Sequence, residues 1–310
     1  MSSQVVNGKA FEWATALAIS DALSVEILES PEAEVAKSFY EQISQELRDR
    51  FIQNSSLGVE HILHREAKSD VLKGAIGIRL AKDSTGQKGD VRDVVITSEN
   101  AAEIGISCKT NHSDFKHPRL SDRIDFVKQW GLSPDGCSKE YWNTVRPIFL
   151  QLREIRQQSE AKALWSELPN KHTDIYLPIL TAFEKELHRL TDIHSTNSKI
   201  ASQALAKYTI GSNDFYKLIS ESKGVKIQAF NMNGSLAGKK TSLPEFMLGT
   251  DDLDGSKESI TVRMNKGYAF NFRLHNASSR VEPSLKFAVS AAGLPPGEIY
   301  QNHLEANLYK

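Results

Sequence analysis

At 310 residues, with 40% apolar and 25% charged residues and a net charge of −1, the chain has material for one large domain or two ordinary ones and a globular composition. The near-neutral balance excludes a globally basic nucleic-acid binder and leaves room only for a local basic groove offset by acidic surface. Two cysteines, Cys108 and Cys137, exclude a disulfide scaffold, and with no signal-peptide pattern and no run near the roughly 20 apolar residues that span a bilayer, a cytoplasmic protein without membrane contact is expected.

Apolar residues from Gly8 to Leu28 recur at helical spacing and predict an amphipathic helix. Ser30-Pro31-Glu32 is a helix start, and the helix it opens is expected to run to about Ile52, burying Val35, Phe39, Ile43 and Leu47. A shorter helix is expected over Ser55 to Lys68. The period then changes. Ala75 to Leu80, Asp93 to Thr97 and Glu103 to Lys109 read as three strands of an antiparallel meander, with turns at Asp83 to Gly86 and Glu99-Asn100. The unbroken Val94-Val95-Ile96 run suits a strand buried on both faces.

Helices return at Ser138 to Gln158 and Asp174 to Leu190, and two short ones are expected over Ser202 to Glu221, broken at Gly211. From Val225 the pattern is β-rich. Asn231 to Ser256 reads as a long loop, Ile260 to Met264 and Tyr268 to Leu274 as a hairpin turning at Asn265-Lys266-Gly267, and Leu285 to Val289 as a further strand. The expectation is an α/β (α+β) chain, divided as a core over 1–125, a helical region over 126–222 and a β-rich region over 223–310.

The chemistry concentrates between Gly89 and Lys109, in GDVRDVVITSENAAEIGISCK. Two aspartates, Asp90 and Asp93, head one apolar strand, and Lys109 ends the next. Side chains alternate along a strand, so Glu103, Gly105, Ser107 and Lys109 share one face while Ile104, Ile106 and Cys108 share the other. A lysine closing a buried strand needs a partner, and Asp93 or Asp90 is the natural one. A carboxylate pair of this kind can hold Mg²⁺ through oxygen, with Lys109 orienting or activating a water against a phosphodiester. A surface hairpin carrying an Asp–Lys ion pair would show the same spacing.

Beyond Lys109 the segment Thr110 to Leu120 presents Asn111, His112, Lys116, His117 and Arg119, candidates to position a phosphate backbone. A zinc site built from Cys108 and these histidines is not expected, because Cys108 lies on the opposite strand face. In the C-terminal hairpin region Arg273 and Arg280, with Arg263, His275 and Asn276, stand on strands that could enter a groove, where guanine is read most often by arginine or lysine.

NGKAFEWATAL (Asn7 to Leu17), GDVRDVVI (Gly89 to Ile96), EIGISCKTNHSDFKHPRLS (Glu103 to Ser121), CSKEYWNTVRPIF (Cys137 to Phe149) and IGSNDFYKLI (Ile210 to Ile219) resemble the HaeIII-type family of type II restriction endonucleases. The resemblance implies a PD-(D/E)XK-like nuclease core, a central mixed sheet flanked by helices. It also implies Mg²⁺-dependent hydrolysis of both strands of duplex DNA at GGCC, leaving 5′-phosphates. It assigns Asp93 (or Asp90) as the metal-binding aspartate, Lys109 as the catalytic lysine and Glu12 as an additional carboxylate. The acid expected two residues before the lysine is Ser107 here. Glu103 shares its face but lies about 13 Å away along the strand, which leaves Glu12 as the better replacement.

A palindrome asks for two-fold reading by a homodimer, or for a monomer that nicks each strand in turn. A cognate cytosine methyltransferase acting on the same site would protect the host genome. Two other functions fit the same residues: a structure-selective or repair nuclease on this core, and a sequence-specific DNA-binding protein whose catalytic site has decayed at Ser107.

Overall fold

The computed structural model describes residues 3–82, 89–111, 115–158, 163–252 and 258–306. They form a mixed α and β chain divided into two compact units. The first unit comprises 1–113, 212–241 and 296–310, and the second 114–211 and 242–295. These units run across the divisions at 125 and 222, which separate the chain by element type.

The first unit opens with three helices: α1 (Ser3–Leu23), α2 (Pro31–Gln42) and α3 (Gln45–Arg65). The short helix α4 (Asp70–Lys73) leads into strands β1 (Ala75–Leu80), β2 (Val94–Ser98) and β3 (Glu103–Thr110). These three strands form the expected antiparallel meander. Later in the chain, β5 (Phe215–Glu221), β6 (Gly224–Phe230) and β11 (Tyr300–Glu305) complete a six-stranded sheet in the order β1-β2-β3-β5-β6-β11. The β3–β5 pairing is parallel and the others antiparallel, so the sheet is mixed.

Helix α1 is not amphipathic in the ordinary sense. It packs against α2, α3 and the sheet, and Ala10, Phe11, Ala14, Ala16, Ala18 and Ile19 are all buried. The four alanines let α1 lie close to its neighbours, and Phe11 and Ile19 fill the space between them. It also ends five residues before the expected Leu28, because Ser24 turns the backbone left-handed (φ 55°) and Glu26 to Leu28 hydrogen-bond to Ile78 at the sheet edge.

The single helix expected from Pro31 to Ile52 is two. Ile43 is extended, and the Ser44 hydroxyl accepts from Leu47 N–H, starting α3 anew. Val35 is exposed, and Ser55 onward continues α3 instead of beginning a separate helix. Asp83 to Gly86, expected as a turn, lie outside the described residues.

The second unit places strand β4 (Arg119–Leu120) and helices α5 (Phe126–Gln129), α6 (Lys139–Gln158), α7 (Leu177–Thr191) and α8 (Ser198–Ile210) with a five-stranded sheet. The other strands are β7 (Met247–Asp252), β8 (Ser259–Met264), β9 (Ala269–Asn276) and β10 (Leu285–Gly293). Their order, β4-β10-β9-β8-β7, is antiparallel throughout. Its core is aromatic: Phe126, Trp130, Phe183, Phe272 and Phe287 meet at centroid distances of 4.7 to 6.2 Å. The β8–β9 hairpin turns where expected, with Lys266 and Gly267 at positive φ.

Two expectations fail here. Ser202 to Glu221 is not a pair of helices: after Gly211 the chain becomes β5, whose parallel pairing with β3 makes Phe215 to Ser220 a fully buried strand. The loop expected over Asn231 to Ser256 contains β7, which pairs with β8.

Candidate active site

Asp93 sits where β2 begins. Its N–H donates to Ile106 O (2.8 Å) and its carbonyl accepts from Ala81 N–H (2.9 Å), so both neighbouring strands fix its backbone. Strand β3 runs on past the start of β2, and the carboxylate takes over the lost strand partner. Oδ2 accepts from Cys108 N–H at 2.7 Å and from the Ser107 hydroxyl at 3.2 Å, and it lies 3.5 Å from Lys109 Nζ.

Burial works against the charge on Lys109, but Asp93 first, then Cys108 and Glu12, outweigh it and hold its pKa above the ordinary lysine value. Lys109 therefore carries a proton at neutral pH and acts as a donor and a fixed positive charge.

Glu12 approaches from α1. One turn further along, Thr15 donates to Phe11 O, meets the Ser55 hydroxyl at 3.2 Å and receives the Cys108 thiol at 3.5 Å, which pins α1 against α3 and β3. Glu12 is buried, and Lys9 Nζ lies 3.0 Å from its Oε2. Burial first, and repulsion from Asp93 second, push the Glu12 carboxyl up to about 8, against the pull of Lys9 and Lys109. Glu12, Asp93 and Lys109 thus act on one another electrostatically.

Asp90 is placed differently. It takes both Nε and Nη2 of Arg92 at 2.8 Å, and Arg92 Nη1 reaches Glu103 at 2.8 Å, which also pairs with Arg79 at 3.2 Å. Burial opposes ionisation of Asp90, but Arg92, helped by Asn213, holds its pKa below the usual carboxylate value. Gly105 makes this network possible, because a Cβ there would lie 2.0 Å from Arg92 Cδ. The two motifs around Asp90 and Asp214 also meet, with Gly89 O accepting from both the N–H and the hydroxyl of Ser212.

Lys217, which the helical reading of 202–221 concealed, stands in register with Ser107 on β5 and is only 1% exposed. Across the sheet Asp93, Ser107, Lys217 and Gln228 follow one another along a polar row. The signal in the sequence was a lone lysine inside the apolar run Phe215 to Ile219.

Of the other candidates, Asn111 follows β3 with a left-handed backbone (φ 58°) and donates to Ser220 O. His112 lies outside the described residues. In the second unit Lys116 is buried with Nζ 4.2 Å from the Tyr208 ring centre, while His117, Arg119, Arg273 and Arg280 are exposed.

Among the described residues no three histidine, cysteine, aspartate or glutamate side chains form a ready metal cluster. Glu12 and Asp93 nevertheless suit a hard divalent cation, since two mutually repelling carboxylates offer oxygen ligands and gain from a shared positive charge. The Cys108 thiol does not suit a soft metal: burial first, and then Asp93, push its pKa far up.

The family model for the HaeIII restriction endonuclease matches residues 8–295. The type II restriction enzyme HaeIII of Haemophilus aegyptius is 33% identical over 307 residues, covering 93% of this chain and 94% of that one. No solved structure matches the chain.

Proposed function

Because the chain belongs to the HaeIII restriction endonuclease family and is a type II restriction endonuclease, we propose that it hydrolyses both strands of duplex DNA at GGCC, with Mg²⁺, from the site built by Asp93, Glu12 and Lys109. The observation that carries the site is the convergence of these three groups, with Lys109 3.5 Å from Asp93 and Asp93 raising the pKa of Glu12. In this reading the first unit is a PD-(D/E)XK-like core in which Ser107 replaces the usual acid and Glu12 supplies the missing carboxylate. Asp90 supports the strand through Arg92.

Asp93 and Glu12 would hold the cation, and bound Mg²⁺ supplies charge neutralisation at the phosphoryl oxygens and a more acidic water. Lys109, protonated, orients the attacking water and stabilises charge developing on the phosphorane. Ser107 keeps Asp93 aimed through its hydroxyl. The products carry 5′-phosphates. A homodimer reads the palindrome, a cognate cytosine methyltransferase protects the host, and the enzyme works in the cytoplasm, where both act on the same DNA.

Digestion of a sequenced plasmid tests this directly. Discrete bands mapping to GGCC with Mg²⁺, lost in EDTA and in Lys109→Ala, are expected. Nicking or smearing would point to a repair nuclease. A duplex that binds but is never cut would point to a decayed site.

A further inference from the structure

At its β4–β10–β9 end the second unit's sheet has one apolar face and one face that carries basic side chains. Leu120, Phe272, Leu274, Leu285 and Phe287 are buried on the first. Alternation turns their neighbours outward, and the register sets Arg119 (β4) beside Lys286 (β10) and Lys286 beside His275 (β9). Arg273 lies two residues before His275 on the same strand, flanked in register by Ala288 and Ser259. Three cationic side chains and the His275 imidazole, a hydrogen-bond donor, thus occupy a patch about 10 Å by 7 Å, from strand spacings of about 4.8 Å and a rise of about 3.4 Å per residue. The floor around Arg273 is made of small side chains.

Acidic relief is thin. Arg119 pairs with Glu282 at 3.7 Å and with the Ser284 hydroxyl at 3.1 Å, whereas among the described residues Arg273 and Lys286 form no salt bridge. The His117 ring packs edge-on against His275, with centroids 6.3 Å apart. Burial first, then His117, Arg273 and Lys286, depress the pKa of His275 against the lift from Asn276 O, as expected where positive groups crowd together.

We propose that this face docks the sugar–phosphate backbone of the duplex, gripping consecutive phosphates through Arg119, Lys286, His275 and Arg273 without reading bases. Charge complementarity selects the occupant: one duplex strand carries a phosphate every 3.4 Å or so of helix axis, so the patch spans two to three of them. The proposal rests on the reading of the chain as a nuclease of duplex DNA.

The test is binding in EDTA, by fluorescence anisotropy, to a GGCC duplex and to a scrambled duplex across a salt series. Arg273→Ala and Lys286→Ala are compared with the wild type and with Lys37→Ala, an exposed lysine on α2. Each sheet variant is expected to weaken binding to both duplexes by the same factor and to lower the salt slope by about one unit, with Lys37→Ala unchanged. Lys286→Glu is expected to weaken both further. Unaltered slopes, or a loss confined to the GGCC duplex, would overturn the assignment. A wild-type chain that cuts GGCC while the sheet variants bind normally sinks this surface alone; one that neither binds nor cuts sinks the nuclease reading with it.

Discussion

In the native chain Glu12 holds its proton to about 8, where an ordinary glutamate releases it near 4.5. Between those values the unfolded chain has lost the proton and the folded one has kept it, so ionisation favours unfolding as pH rises. The group's stabilising contribution is complete below about 4.5 and gone above about 8. Without divalent metal the melting temperature is therefore expected to fall from pH 5 to pH 8, and Glu12→Gln should flatten that fall. An identical pH profile in the variant would remove the electrostatic coupling from which the site is argued. Added Mg²⁺ should reverse the trend and release protons on binding, measurable by calorimetry in two buffers. Asp93 has a double task, since Oδ2 also accepts the Cys108 N–H. Asp93→Asn keeps an acceptor there and should stay folded but inactive, whereas Asp93→Ala leaves a strand N–H unsatisfied and should lose about 1–3 kcal/mol of stability as well.

Gly105 leaves room on β3 for the Arg92 side chain. In Gly105→Ala the new methyl meets Arg92 Cδ, held by Asp90 and Glu103, and a cost of about 1–3 kcal/mol is expected in denaturant unfolding. Adding Arg92→Ala should recover part of that loss, which a double-mutant cycle will measure. The meander was legible because three short apolar runs with turn residues between them leave few alternatives, and the β8–β9 hairpin for the same reason. Strand β5 was hidden because Phe215 to Ser220 is buried along its whole length and shows no alternation, and its partner β3 lies about a hundred residues earlier. Helix ends were misplaced where one cap decides them, at Ser24 and Ser44. Asp93 and Lys109 could be read from the segment alone. Glu12 came only through the family resemblance, because nothing in the spacing along α1 says that its face meets β3.

Each compact unit draws on separated stretches of chain, the first on three and the second on two. A fragment of residues 1–125 contains every proposed catalytic side chain but lacks β5, β6 and β11. It leaves the β3 edge from Ile106 to Thr110 without its strand partner, and α3 without β5 and β6, the strands it packs against. Such a fragment is expected to show no dispersed amide spectrum and to aggregate, while the full chain gives a single ordered spectrum. The same arrangement has a consequence in time. A ribosome that has already made Glu12, Asp93 and Lys109 has still to make the strand that flanks Lys109, and, much later, the edge strand β11. Chains released before β11 is made carry the proposed site residues without a complete first unit, and they are expected to bind and cut no DNA.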